Sequence, residues 1–268
     1  MSFTRFLHER CKHPMDPDEQ RLCYKAQGRA FAKVRGVPVP ELIQERTPLA
    51  GLVEPDRDRF VVKPNRGCSG RAIVLAVRQP DGTYHNLMGP RAGGQHPPRT
   101  FAGWREWCRD EMKHYANKPD RAFADEWIIE AMAGSGRAVP DAYGVWCVRG
   151  KAFFVRQQRF GHHRSGPRTQ AATWDREWSR VTHAVRRTST RREVELPTPR
   201  HGQRIIEYAE RLSRDWPGPF VRVDFLEGDD GPVFIECTPR PAGGKISLHE
   251  PWDSVMGEEW EAKEVVHG

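Results

Sequence analysis

The sequence predicts an α+β fold with largely antiparallel sheets, since strand-like runs are interspersed with a few amphipathic helices and joined by tight turns. Apolar residues at helical spacing occur in residues 18–35, 101–116 and 201–216. Gly-containing turns at residues 149–151 and 227–231 are typical of antiparallel hairpins. The strand-like runs are residues 59–63, 71–77, 127–132, 143–159 (a hairpin by itself), 220–226 and 232–237.

Each predicted helix carries one apolar stripe. The first ends at the loop of residues 36–40, whose two prolines cannot continue a helix. Residues 89–100 are rich in Gly and Pro and predict a loop or linker, and periodicity fades in residues 161–199. The stripes contain Leu22, Ala26, Ala30 and Phe31 in the first helix, Trp104, Trp107, Cys108, Met112 and Tyr115 in the second, and Ile205, Ala209, Leu212 and Trp216 in the third.

The composition predicts a folded protein with an anionic partner. The 268 residues carry a formal net charge of +7, and 9 Trp and 12 Phe make the chain too aromatic to be disordered throughout. The chain has no run of about 18 apolar residues, and its N-terminus lacks the apolar segment of a signal peptide. We therefore predict a cytoplasmic protein without a membrane partner. The six scattered cysteines predict reduced, independent thiols.

The last predicted hairpin has one core face and one polar face. Strand alternation places Arg222 and Asp224 on the polar face of its first strand. In the second strand the same alternation places Phe234, Glu236 and Thr238 together on one face. If the turn centres on residue 230, Asp224 pairs with Glu236 and Arg222 with Thr238, their Cβ atoms about 4.5–5.5 Å apart.

Two carboxylates at this separation point to a cation site. They repel each other unless a cation lies between them. Mg²⁺ binds few carboxylates and keeps positions open for phosphate oxygens, so Asp224 and Glu236 suit it. The alternative is an ordinary amphipathic hairpin with a solvated polar face.

A second candidate site lies at residues 60–70. Lys63 ends a strand and is followed by a loop that contains Gly67, Ser69 and Gly70. A lysine beside exposed backbone N–H groups can hold phosphates. The loop is not a Walker motif, because it lacks the GK[ST] ending and no helix-period segment follows it. By itself such a loop usually only turns the chain, but together with paired carboxylates it predicts a nucleotide site.

The order of these segments resembles the ATP-grasp superfamily, and within it the TupA-like branch associated with teichuronopeptide synthesis. The resemblance runs from about residue 20 to residue 245. It implies two α+β lobes that clasp a nucleotide between largely antiparallel sheets, after a reduced N-terminal lead segment. The implied division is a lead segment at residues 1–55, a small lobe with a phosphate-covering loop at residues 56–130, and a large lobe with metal-binding strands at residues 131–268.

The resemblance also implies a role for each site residue. Lys25 looks like the lysine that opens the nucleotide domain, and Glu130 like the acidic residue that takes the ribose. Asp224 and Glu236 would bind Mg²⁺, and Arg222 would stabilise an acyl phosphate and a tetrahedral oxyanion. The residues implied to bind ATP are Lys25, Lys63, Gly67, Ser69, Gly70 and Glu130.

Two positions depart from the family pattern. Many ATP-grasp enzymes have Asn two residues after the metal-binding glutamate. Thr238 stands at this position here, as threonine does in the TupA-like branch, and threonine is a poorer metal ligand than asparagine. Gly144 falls where that branch would have a polar or basic residue.

The implied reaction is the ATP-dependent joining of a carboxylate to an amine through an acyl phosphate, with small-molecule or peptide substrates. An acidic polymer would suit the arginine-rich residues 161–200, which would border the acceptor. One alternative is a basic nucleic-acid-binding protein, in which Trp174, Trp178 and Trp216 stack bases. Another is an ATP-grasp kinase or nucleotide-binding module without ligase activity.

Overall fold

A computed structural model describes residues 2–67, 72–88, 96–116, 125–134, 139–159, 169–182, 184–186 and 191–262. The helices are α1 (Phe3–Arg10), α2 (Pro17–Leu22), α3 (Lys25–Val34), α4 (Phe101–Ala116), α5 (Gly202–Arg214) and α6 (Trp252–Glu261), with 3₁₀ turns at Leu49–Gly51 and Pro241–Gly244. The strands are β1 (Leu42–Thr47), β2 (Arg59–Pro64), β3 (Val74–Arg78), β4 (Tyr84–Asn86), β5 (Trp127–Ala131), β6 (Ala142–Val148), β7 (Lys151–Arg159), β8 (Thr169–Asp175), β9 (Arg180–Val181), β10 (Arg191–Glu193), β11 (Phe220–Gly228) and β12 (Gly231–Thr238). The predicted α+β class with largely antiparallel sheets is confirmed.

The first sheet has the strand order β1-β5-β2-β3-β4, and all of its neighbouring strands are antiparallel. α4 covers it with the predicted stripe, in which Trp104, Cys108 and Met112 are buried and Trp107 is partly buried. The side chain of Tyr115 lies outside the described residues. The buried side chains pack with apolar residues of β2, β3 and β5 into one core, so the stripe is a core feature.

The second sheet has the order β10-β8-β7-β6-β11-β12, with β9 paired to β8. Its described pairs are antiparallel except β10 with β8. α3 and α5 pack on one face, where Ile205, Ala209 and Leu212 are buried. α1 and α6 cover one end of the other face through Phe3 and residues of β6, β7 and β11. The rest of that second face is free to carry polar groups.

The predicted helix at residues 18–35 is in fact two helices, α2 and α3, separated at Cys23 and Tyr24. Tyr24 is extended and its side chain provides no cap. Instead the backbone N–H groups of Lys25 and Ala26 bond to the carbonyl and the side-chain Oδ1 of Asn65, at 3.1 and 2.8 Å. The break therefore depends on Asn65, the residue that follows β2, which the local sequence could not indicate.

The buried Asn65 connects α3 to the first sheet, so its loss should be measurable as a loss of stability. Its Nδ2 also donates to Glu126 Oε2 at 2.8 Å. Because Asn65→Ala removes a helix cap and leaves buried groups without partners, we expect the free energy of unfolding to fall by about 2 kcal/mol in urea titrations. Lys33→Ala, at an exposed position of the same helix, is the control and should change it by less than about 0.5 kcal/mol. An equally small change in Asn65→Ala would contradict this role.

The last hairpin has the predicted pairing but one error of face. β11 and β12 join Asp224 to Glu236 and Arg222 to Thr238 across a tight turn between Gly228 and Gly231. The register shifts after Asp224, because Phe225 pairs with Phe234 and leaves one extra residue on β12. Phe234 is therefore buried in the core and does not lie on the face of Glu236, so the alternation predicted for it was wrong.

The predicted division at residues 55 and 130 stays a prediction. β1, from the expected lead segment, pairs with β5 of the first sheet, and α3 packs against β12 of the second sheet. The stretch expected to lead the chain therefore contributes to both halves of the described fold. In the described part of the chain, none of the helices combines the length and apolar character needed to cross a membrane.

Candidate active site

Cross-strand pairing places three charged residues and one glycine in a line across the second sheet. Glu236 on β12 pairs with Asp224 on β11, Asp224 with Gly144 on β6, and Gly144 with Arg156 on β7. Directly paired residues face the same side of a sheet, so we call these four positions the polar row. It lies on the face that α1 and α6 cover only at its other end.

Arg222 holds Asp224 in a two-pronged ion pair. Its Nε donates to Asp224 Oδ1 at 2.7 Å and its Nη2 to Oδ2 at 2.5 Å. Thr238 Oγ1 accepts from the same Nη2 at 3.2 Å and lies 3.4 Å from Asp224 Oδ2. Thr238 therefore holds the arginine and the aspartate in position, which gives this departure from the family pattern a structural role.

The side chains of Arg222 and Asp224 occupy the space next to Gly144. A Cβ atom at Gly144 would lie 2.9 Å from Asp224 Oδ1 and 3.1 Å from Arg222 Cδ, closer than ordinary van der Waals contact. A larger residue at this position would push the two side chains away from β6. Gly144 is the second departure from the family pattern. Because it has no side chain, Arg222 and Asp224 can pack against β6 at this position.

Asp224 and Glu236 fit a divalent cation in the chemistry of their donors. Burial raises the pKa of Asp224, the Arg222 guanidinium lowers it, and the Glu236 carboxylate raises it again. A divalent cation would favour the charged form of this carboxylate. Each carboxylate has about four lone-pair positions, so the contact with Arg222 leaves room for a metal.

Among the described residues there is no group of three His, Cys, Asp or Glu side chains that could hold a metal. A cation bound by this pair would therefore need water or substrate oxygens as its further ligands. That requirement matches Mg²⁺, which usually keeps several waters or phosphate oxygens.

Lys25 connects the loop after β2 to the polar row. Its Nζ donates to the Gly67 carbonyl at 2.9 Å and lies 3.8 Å from Glu236 Oε2. The Lys25 side chain is 5% exposed, so a positive charge is held close to the carboxylate pair in a partly desolvated place. The structure thus brings Lys25, Gly67 and Glu236 together from three distant parts of the sequence.

Lys63 and Glu130 are brought together as a buried ion pair. The Lys63 Nζ donates to Glu130 Oε1, and the two side chains are 6% and 5% exposed. Val61 of β2 pairs with Glu130 of β5, which places Lys63 two positions further along the same face. The sequence predicted a ligand role for each residue separately but not their contact. Ser69 and Gly70 lie outside the described residues.

Two arginines that precede the arginine-rich residues 161–200 are paired with carboxylates within the fold. Arg159 makes a two-pronged ion pair with Asp141 at 2.8 and 2.7 Å, and Arg156 donates to Glu193 at 3.1 Å. Arg186 is exposed. Residues 160–168, 183 and 187–190 lie outside the described part, so the expected border with an acceptor stays a prediction.

Two of the three aromatic side chains proposed for base stacking are buried. Trp174 and Trp216 are 6% and 5% exposed and belong to the core beside α5, and Trp178 packs against that core. Trp174 and Trp216 therefore lack the accessible ring face that base stacking requires, whereas Trp178 is partly exposed, and the nucleic-acid alternative stays a prediction.

A sequence profile of the TupA-like ATP-grasp family matches residues 50–261, which is most of the chain. The chain belongs to the TupA-like ATP-grasp family. The predicted resemblance is thereby confirmed, and the two-sheet architecture is the ATP-grasp fold. The match includes Lys63, Glu130 and the whole polar row, whereas Lys25 lies before it. No curated protein matches the chain significantly.

Two of the solved structures with a similar fold are ligases. VanG D-Ala:D-Ser ligase from Enterococcus faecalis has a TM-score of 0.53 and 14% identity, over 91% of this chain and 62% of that one. D-alanine-D-alanine ligase from Helicobacter pylori has a TM-score of 0.51 and 11% identity, over 91% and 59%. This ATP-grasp chain thus spans less than two thirds of their lengths, and at these identities the likeness concerns the fold.

Proposed function

We propose that this ATP-grasp protein is an ATP-dependent ligase that joins a carboxylate to an amine, forming an amide or peptide bond through an acyl phosphate. The observation that carries the proposal is the polar face of the last hairpin. Asp224 and Glu236 form a pair of carboxylates there that would suit a cation, and Arg222 holds a guanidinium fork directly beside it. Membership of the family and the ligases of similar fold support the same reaction class.

The nucleotide would lie between the two sheets, with its phosphates near Lys25. Lys25 and Lys63 are the lysines that would hold phosphate oxygens, and Gly67, Ser69 and Gly70 belong to the loop that would cover them. Glu130 would accept hydrogen bonds from the ribose. Lys63 and Glu130 already share a buried hydrogen bond, so the fold holds both side chains in place before the nucleotide binds.

Asp224 and Glu236 would hold Mg²⁺, whose contribution is to neutralise charge between the β- and γ-phosphates. In the first step a substrate carboxylate oxygen forms a bond to the γ-phosphorus while the bond from that phosphorus to the β-phosphate oxygen breaks, so that ADP leaves. The amine then attacks the acyl carbon, loses a proton, and phosphate leaves with the bonding electron pair. Arg222 would stabilise the acyl phosphate and the tetrahedral oxyanion by charge-assisted hydrogen bonds.

Product analysis distinguishes this ligase from its alternatives. We expect ADP and inorganic phosphate to appear together only when MgATP, an acid and an amine are all present, in a screen of acid and amine pairs. A kinase would release ADP without the amine and retain the phosphate on its substrate, and a nucleotide-binding module would release neither product. Reactions that lack the acid or the amine are the controls, and ADP formation that ignores the amine would contradict a ligase.

The cellular location and the nature of the acceptor belong to the same proposal. We place the enzyme in the cytoplasm, where ATP is present. An anionic acceptor, such as an amino-acid carboxylate or an acidic polymer, would suit exposed arginines such as Arg186.

A further inference from the structure

Asn65 holds the first turn of α3 through both its backbone and its side chain. The backbone N–H of Lys25 donates to the Asn65 carbonyl at 3.1 Å, and that of Ala26 donates to Asn65 Oδ1 at 2.8 Å. These donors belong to the N–H groups that a helix leaves unpaired at its N-terminus. Because one residue accepts from both, the backbone of Lys25 is fixed relative to the end of β2.

Asn65 is itself held by Glu126. Its backbone N–H donates to the Glu126 carbonyl and its Nδ2 to Glu126 Oε2, both at 2.8 Å. Hydrogen bonds from Arg46 and from Asn65 lower the pKa of Glu126, so its side chain is ionised and can only accept. The Asn65 amide therefore cannot turn over without losing its bonds to both Glu126 and Ala26.

The two residues after Asn65 add further contacts to the same turn. The Arg66 guanidinium lies 4.3 Å from the centre of the Tyr24 ring, in cation–π contact. The Gly67 carbonyl accepts from Lys25 Nζ at 2.9 Å. Lys25 is thus held at its backbone and at its ammonium group by one short segment, residues 65–67.

The position of Lys25 also affects the carboxylates of the second sheet. Its Nζ lies 3.8 Å from Glu236 Oε2, and its side chain is 5% exposed. A lysine side chain has several rotatable bonds, so the place of its ammonium group depends on the place of its backbone. A shift of α3 against β2 would move this charge relative to both Gly67 and Glu236.

We infer that Asn65 is a positioning residue of the nucleotide site and acts through Lys25. Asn65 follows Lys63 by two residues, so one short stretch of chain fixes the positions of both lysines proposed to hold phosphate oxygens. The inference rests on the proposed ATP-dependent function. It adds to that function a buried residue that sets the spacing of the two ammonium groups without touching the nucleotide.

A double-mutant cycle tests whether Asn65 acts through Lys25. Calorimetric titration with MgADP gives the Kd of the wild type, of Asn65→Ala, of Lys25→Met and of the double variant. We expect MgADP to bind about tenfold more weakly to Asn65→Ala and about thirtyfold more weakly to Lys25→Met, since a charge-assisted hydrogen bond is displaced or lost. In the Lys25→Met background, Asn65→Ala should change the affinity by less than about twofold, because no ammonium group is left to position.

Leu212→Ala is the matched control for a loss of stability alone. Leu212 is buried in the core beside α5, and its truncation leaves a cavity that destabilises the fold. The titrations are made at a temperature at which every variant is folded. The MgADP affinity of Leu212→Ala should stay within about twofold of the wild type, because distant sites act independently.

Glu126→Ala gives a second route if Asn65→Ala does not fold. It removes the acceptor that orients the Asn65 amide but leaves Asn65 in place. We expect MgADP binding to weaken by about threefold in this variant, and by less than about twofold when it is made in the Lys25→Met background.

The outcomes separate this inference from the proposed function. If the wild type does not bind MgADP, or Lys25→Met binds it as well as the wild type, the proposed nucleotide site is wrong and the inference falls with it. If only the role of Asn65 is wrong, Lys25→Met weakens binding but Asn65→Ala does not, or Asn65→Ala weakens it equally in both backgrounds, or Leu212→Ala weakens it as much. If Asn65→Ala does not fold, unchanged binding in Glu126→Ala, or an equal loss in both backgrounds, overturns the role of Asn65.

Discussion

Asp224→Asn is expected to lower ATP turnover by about a thousandfold or more, equivalent to about 4 kcal/mol of transition-state stabilisation. Asparagine has nearly the same shape, but its neutral amide is a poor ligand for Mg²⁺ and a weak acceptor for the Arg222 fork. Loss of the metal ligand acts on the charge between the phosphates, and loss of the ion pair acts on the position of Arg222 beside the acyl group. The measurement is steady-state ADP release with saturating MgATP and the best acid and amine pair from the screen.

A second readout ties this loss to the metal. MgADP should raise the melting temperature of the wild-type protein more than ADP alone, and this difference should disappear in Asp224→Asn. Asp230→Asn provides a matched control, because it makes the same chemical change at the exposed tip of the same hairpin. Turnover within tenfold of the wild type in Asp224→Asn would mean that the carboxylate does not hold the catalytic metal.

Lys63→Met should lower the free energy of unfolding by about 3 kcal/mol and also abolish measurable ATP binding. Removal of the lysine leaves the Glu130 carboxylate buried without its partner, and breaking a buried pair in this way is costly. Chemical denaturation gives the stability, and calorimetric titration with MgATP gives the affinity. Arg57→Met breaks the exposed pair with Glu41 and should cost less than about 1 kcal/mol.

A double variant separates the structural role of Lys63 from its role toward the nucleotide. Lys63→Met combined with Glu130→Leu removes both buried charges and should regain most of the lost stability, since apolar residues often replace buried pairs without penalty. ATP binding should stay absent, because the phosphate still lacks its lysine. Recovery of ATP affinity in the double variant would show that Lys63 acts only as the partner of Glu130.

The pairing of Asp224 with Glu236 could be predicted because it depends on local features. Alternation with period two and a tight Gly-containing turn set the register of a hairpin within a few residues. The bulge that moves Phe234 into the core could not be predicted in this way. It lets two large rings, Phe225 and Phe234, share one core, a packing requirement that does not appear in the alternation pattern.

Several elements were missed because distant contacts stabilise them. α1 and α6, from opposite ends of the chain, pack together through rings such as Phe6 stacked on Trp260. β8 lies in a stretch where no periodicity was visible, and it is held by β7 on one side and by β9 and β10 on the other. Local propensity is a weak guide where tertiary contacts decide the conformation.

The sequence by itself determined the fold class, the family and the carboxylate pair, since these follow from short-range periodicity, turn chemistry and ordered motifs. Only the tertiary structure decided which groups meet: Lys25 with Gly67 and Glu236, Lys63 with Glu130, and Arg156 with Glu193. The physical reason is that each contact joins separate strands or loops, whose register and packing are set by burial across the whole sheet rather than by neighbouring residues.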